Sequence, residues 1–130
     1  MLTKTGVEIR DVTIKDTPRI TRTFTGLTGN TQIEKAWLTV KLRESAPDSD
    51  KLFQKTITTT VSADGQITDY DPAGGDLAMY FELAAADTAS ARVGIPYRYD
   101  IKVKAVLDPK VYTLEKGLIF FIRGVTAAAS

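Results

Sequence analysis

Three aspartates surround a pair of glycines in Asp69-x-Asp71-x4-Asp76, where Gly74 and Gly75 lie between the last two. Oxygen ligands of this kind suit a hard cation such as Ca2+. The spacing lacks the alternate positions and closing glutamate of an EF-hand loop. Asp, Pro and Gly are also the commonest turn formers, so a plain loop over Asp71–Asp76 is the simpler reading and no metal is expected. Arg98, Asp100, Lys102 and Lys104 form a second charged set at a two-residue spacing. Catalysis or anion binding there would need convergent partners from other strands. A solvated sheet face with cross-strand ion pairs needs none, and that face is the expectation. Trp37, Tyr70, Tyr80 and Tyr112 offer aromatic faces that could stack on sugars. They serve equally as packing residues and as interface anchors, and the interface role is the expected one for any that are exposed.

Other chemistry is limited by what the sequence lacks. There is no cysteine, so no disulfide, thiolate metal site or thiol nucleophile can form. There is no histidine, which removes the commonest general base and the imidazole ligands. No phosphate loop, nucleophile elbow or paired-glycine dinucleotide motif occurs. A non-enzyme without cofactors is expected. The 17 Lys+Arg and 16 Asp+Glu give a net charge of +1, with no basic run to hold nucleic acid. No apolar run reaches the ~20 residues that span a bilayer, and the N-terminus lacks the apolar stretch of a secretory signal. A soluble protein made in the cytoplasm is the expectation.

The elements that must carry these residues read as strands. Pro96–Leu107 alternates strictly: Tyr97, Tyr99, Ile101, Val103, Ala105 and Leu107 on one face, the charged set on the other. The apolar phase slips between Val7/Ile9 and Val12/Ile14, which predicts a bulge near Arg10–Asp11 in a first strand over residues 6–14. Pro18 marks the start of a second strand, 19–25, with Ile20 and Phe24 inward. Residues 35–44 place Ala36, Leu38, Val40 and Leu42 inward. Residues 52–61 do the same with Phe53, Ile57 and Val61. Asp64-Gly65 is a hairpin signal leading into 66–70. Residues 77–83 face Leu77, Met79, Phe81 and Leu83 inward. One short helix is expected near residues 84–91, ended by Gly94. Asp108-Pro109-Lys110 turns the chain into 111–115 and 117–125, of which Leu118–Ile122 is apolar on both faces and so central or sandwiched. Short strands with turn signals between them indicate an all-β fold, an antiparallel β-sandwich, with a small up-and-down barrel as the alternative. At 130 residues the chain is one domain, 1–130, with short arms at about 1–6 and 126–130.

Leu83–Gly94 is followed by Tyr97-Arg98-Tyr99-Asp100-Ile101, then Thr113-Leu114-Glu115-Lys116-Gly117-Leu118-Ile119 and Val125-Thr126. Upstream stand Asp16-Thr17, Leu27-Thr28-Gly29 and Ala36-x-Leu38-x-Val40. This succession resembles the N-terminal domain of phage baseplate upper proteins and related tail-fibre attachment domains. The resemblance implies an immunoglobulin-like or related β-sandwich that assembles into a virion. In that family a long fibre or receptor-binding portion usually follows, whereas this sequence stops four residues after Thr126. The resulting expectation is a phage structural protein, a tail or baseplate component or adaptor. It would be a homo-oligomer in the particle, docked on other virion proteins. A capsid decoration protein and a carbohydrate-binding module for host recognition are the alternatives.

Overall fold

The computed structural model describes residues 3–25, 32–43, 45–47, 50–69, 76–106 and 111–124. Eight strands and one helical turn follow in order: β1 (Lys4–Thr13), β2 (Arg19–Phe24), β3 (Ile33–Lys41), β4 (Phe53–Thr58), β5 (Gly65–Asp69), β6 (Leu77–Glu82), α1 (Ala85–Thr88), β7 (Pro96–Ala105) and β8 (Val111–Ile122). They divide into a five-stranded sheet, β1-β8-β7-β3-β4, and a three-stranded sheet, β2-β6-β5. The fold is all-β and two-layered, and the strands do not close into one barrel. All pairs are antiparallel except β1 with β8, which run parallel and depart from the antiparallel expectation. Residues 3–6, expected in an arm, belong largely to β1: Lys4 pairs with Glu115, and the Thr3 hydroxyl donates to the Thr113 carbonyl at 2.7 Å. Residues 126–130 lie outside the described residues.

Alternation builds a single core. Ala36, Leu38 and Val40 of β3, Ile57 of β4, Ile101 and Val103 of β7, and Ile119 and Phe121 of β8 are buried. Ile20 of β2, Ile67 of β5 and Leu77, Met79 and Phe81 of β6 belong to the same cluster from the smaller sheet. Each such Val, Leu, Ile, Met or Phe side chain removed from water stabilises the fold by about 1.5–3 kcal/mol. The Tyr97 and Phe121 rings meet edge to face at 5.3 Å. Inward positions expected beyond the strand ends fail. Leu42 is 42% exposed and Val61 66%, because β3 stops at Lys41 and β4 at Thr58. Leu107 lies outside the described residues.

Three local readings change. The bulge near Arg10–Asp11 is present: the β1 register shifts between Ile9 and Val12, where Asp11 has φ +62°. The turn after β4 centres on Ala63-Asp64 instead of Asp64-Gly65, with Ser62 and Gly65 exchanging backbone bonds of 3.0 and 3.2 Å. It is a corner between sheets and not a hairpin, since β4 belongs to the large sheet and β5 to the small one. Finally, 111–115 and 117–125 merge into the single strand β8. It runs through Gly117 because β1 and β7 pair with it from both sides.

The helical turn is shorter than 84–91, and Gly94 stands six residues past its end. Asp87 accepts from the Ala84 N–H at 2.7 Å and pairs with Lys55 of β4 at 2.5 Å. The buried Thr88 hydroxyl accepts from the Lys15 N–H at 2.8 Å. Two side chains thus tie a segment too short to be stable alone onto β4 and the β1–β2 turn.

Every sheet edge is interrupted. β1 carries positive φ at Gly6 and Asp11. On β4, the Asp64 carboxylate takes the Thr56 N–H at 3.1 Å. β5 has five residues and a register shift between Ile67 and Asp69. On β2 the Leu83-to-Pro18 bond sets the alternation, so the Thr21 carbonyl points to the open side, where Arg22 Nη1 occupies it at 2.9 Å. Such devices discourage addition of another strand.

Candidate functional site

Among the described residues two polar arrangements lie inside the fold, and a third lies on its surface. The first arises from a bulge in β8. Ile101 pairs with Glu115 and Lys102 with Thr113, so Leu114 is the extra residue, and Leu114 and Glu115 both turn inward. Glu115 is fully buried. The Tyr99 hydroxyl donates to its Oε2 at 2.5 Å, and Arg22 Nε reaches it from the opposite sheet at 3.0 Å. A buried carboxylate needs such partners, and here they join the two layers. Burial opposes the Arg22 charge, but pairing with Glu115, aided by Tyr99, holds its pKa above the ordinary value. Burial first, then the bond to Glu115 and its charge, push the Tyr99 phenol above its ordinary 10, with Arg22 acting the other way.

The folded phenol therefore keeps its proton where the unfolded one releases it. This contribution to stability is complete below pH 10 and is lost as pH rises above it. Urea midpoints should fall above that point, and Tyr99→Phe should remove part of the fall while lowering neutral stability by about 1–3 kcal/mol. Equal alkaline slopes in the two proteins would contradict the assignment.

The second arrangement is Lys55, buried on the inward side of β4 between Phe53 and Ile57. Its ammonium lies 2.5 Å from Asp87 and 3.5 Å from Asp64. Its position in phase with two core residues was the available signal. Both inner arrangements are closed by their own partners and serve the fold.

The third is the outer face of the five-stranded sheet, where register sets rows of side chains. One row runs Glu8, Leu118, Arg98, Lys41; the next runs Lys116, Asp100, Thr39, Gln54; a third places Lys102 beside Trp37 and Thr56. The charged set of β7 lies here as expected, with Lys104 paired to Glu34 at 3.3 Å. A groove of about 410 Å³ crosses four strands between Thr5–Glu8 of β1 and Thr39 and Lys41 of β3. A second hollow of about 260 Å³ adjoins it, lined by Trp37, Gln54, Lys102 and Val111. Thr39 and Asp100 line both. The wall exists because β1 advances three residues, Lys4 to Val7, while β8 advances two, Glu115 to Gly117. The extra residue bulges beside Gly6.

The described aromatic candidates, Trp37, Tyr80 and Tyr112, do not converge. Trp37 stands half-buried on this face, with the Lys35 ammonium 5.9 Å from its ring. Tyr80 is on β6 of the other sheet, its ring covered by Arg19 at 4.0 Å. Tyr112 packs against the core, and Tyr70 lies outside the described residues. Asp69 ends β5 and Asp76 precedes β6, while Asp71 lies outside the described residues. Among the described residues no group of three carboxylates is placed to hold a metal. Neither protein-family models nor curated proteins match this sequence.

Proposed function

We propose that this protein is a non-enzymatic structural component of a phage particle, assembled by docking onto other virion proteins and onto copies of itself. Its two-layered fold would be an immunoglobulin-like or related sandwich, as the motif resemblance implies. The observation that carries the docking reading is the placement of exposed valines. Val106 follows β7, Val111 begins β8 and Val61 follows β4, at the same end of the large sheet, and they are 51%, 51% and 66% exposed. Three of the five exposed large apolar side chains among the described residues stand at this end, where burial on a partner supplies the driving force. The interrupted edges favour contact through that end over strand addition. The polar arrangements of the interior are saturated by one another, which fits a scaffold.

Size exclusion with light scattering, together with a search for the chain in gradient-purified particles, tests the reading. Self-association or incorporation into particles is expected. A strict monomer absent from particles would end it.

A further inference from the structure

We propose that the groove across the outer face of the five-stranded sheet binds an acidic saccharide, a sugar chain that bears carboxylates. This goes beyond the docking reading, since it uses the face of the sheet and not its end.

The first support is an opposed pair of like charges. Arg98 and Lys41 are direct cross-strand partners on the outer face, and Lys116 lines the same groove. Like charges placed opposite each other destabilise a sheet. The other cross-strand neighbour of Arg98 is Leu118, and among the described residues the Arg98 guanidinium has no ion pair or hydrogen bond. The Lys41 ammonium already donates to the Ala46 carbonyl at 2.9 Å, so the position left to a ligand is Arg98, where a carboxylate matches the paired donors of the guanidinium.

The second support is shape. The β1 bulge at Thr5–Gly6 lifts the wall of the groove away from β8, and bulges recur beside binding sites. The volume falls in the range of small-molecule sites.

The third support is the order of chemistry along the groove. Past the cations come Asp100, Thr39 and Gln54, and Gln54 Nε2 already donates to the Thr39 hydroxyl at 2.9 Å. Asp100 accepts from hydroxyl groups, which a sugar carries along its length and an acidic peptide does not, and this favours a sugar. Trp37 follows, an aromatic surface against which the C–H face of a sugar ring can lie. A ligand with a carboxylate at one end and hydroxyls along its length meets these groups in sequence.

Isothermal titration with trigalacturonate and with sialyllactose tests the proposal, beside neutral maltotriose and hexaglutamate. At least one acidic sugar should bind, with maltotriose and hexaglutamate at least about tenfold weaker. Arg98→Gln and Trp37→Ala should each weaken that binding about tenfold, and Arg98→Gln should not lower the urea midpoint. Failure of both acidic sugars to bind would overturn the proposal. So would hexaglutamate binding as tightly, or binding indifferent to both substitutions.

Discussion

Glu115→Ala is expected to lower the stability of the fold by about 3–5 kcal/mol, the cost of removing one member of a buried charged pair. The carboxylate is fully buried and bonded to partners from both layers, Tyr99 in the large sheet and Arg22 in the small one. Its loss leaves the Tyr99 hydroxyl without its acceptor and the inner side of Arg22 without its counter-charge. It also opens space beside Leu114, which the bulge holds inward. Glu115→Gln separates these effects: the amide keeps the shape and one acceptor, so the loss should be smaller, about 1–3 kcal/mol. Urea unfolding followed by fluorescence measures both. A Glu115→Ala protein as stable as the parent would mean that the two layers do not depend on this contact.

Gly117→Ala is expected to cost about 3 kcal/mol or more, because the added methyl cannot be accommodated by side-chain movement alone. A Cβ at Gly117 would stand 2.1 Å from the Val7 carbonyl oxygen and 2.9 Å from the Tyr99 ring. The first obstacle is backbone, so β1 must move away from β8. The second is the ring whose hydroxyl reaches Glu115, so the inner network is displaced too. Hydrogen exchange should show β1 amides losing protection more than β3 or β7 amides, in addition to the lower midpoint. A stable variant with unchanged exchange on β1 would contradict this packing.

Much of the fold was legible in the sequence because alternation is a local signal. Tyr97 to Ala105 and Leu77 to Leu83 face inward as their spacing predicts, and the phase slip in β1 marks a real bulge. Where burial depends on partners far along the chain, local spacing carries less warning. Glu115 sits on the polar side of a simple alternation, and only the extra residue Leu114 turns it inward. Gly117 resembled a strand start, yet it is the place where Tyr99 and β1 press against β8. The motifs Tyr97-Arg98-Tyr99-Asp100-Ile101 and Glu115-Lys116-Gly117-Leu118-Ile119 prove to be facing strands, with Tyr99 opposite Gly117 and Asp100 opposite Lys116. Their spacing is a record of that pairing.

The outer groove was harder to read. Arg98, Asp100, Lys102 and Lys104 suggested a solvated face, since no partners could be named from spacing alone. Sheet order β1-β8-β7-β3 supplies them: it puts Lys41 opposite Arg98 and the bulge of β1 at the far wall. The parallel β1–β8 pairing joins the first strand to the last, so nothing local could reveal it.

The most direct test of the central claim is the copy number of this chain in gradient-purified phage particles, measured for the parent and for a Val106→Asp, Val111→Asp double variant. The parent should be present in a fixed number of copies and the variant reduced at least about tenfold, from charges placed in the proposed docking end. Absence of the parent from particles would contradict the claim. So would full incorporation of the variant, which would show that this end of the sheet makes no contact.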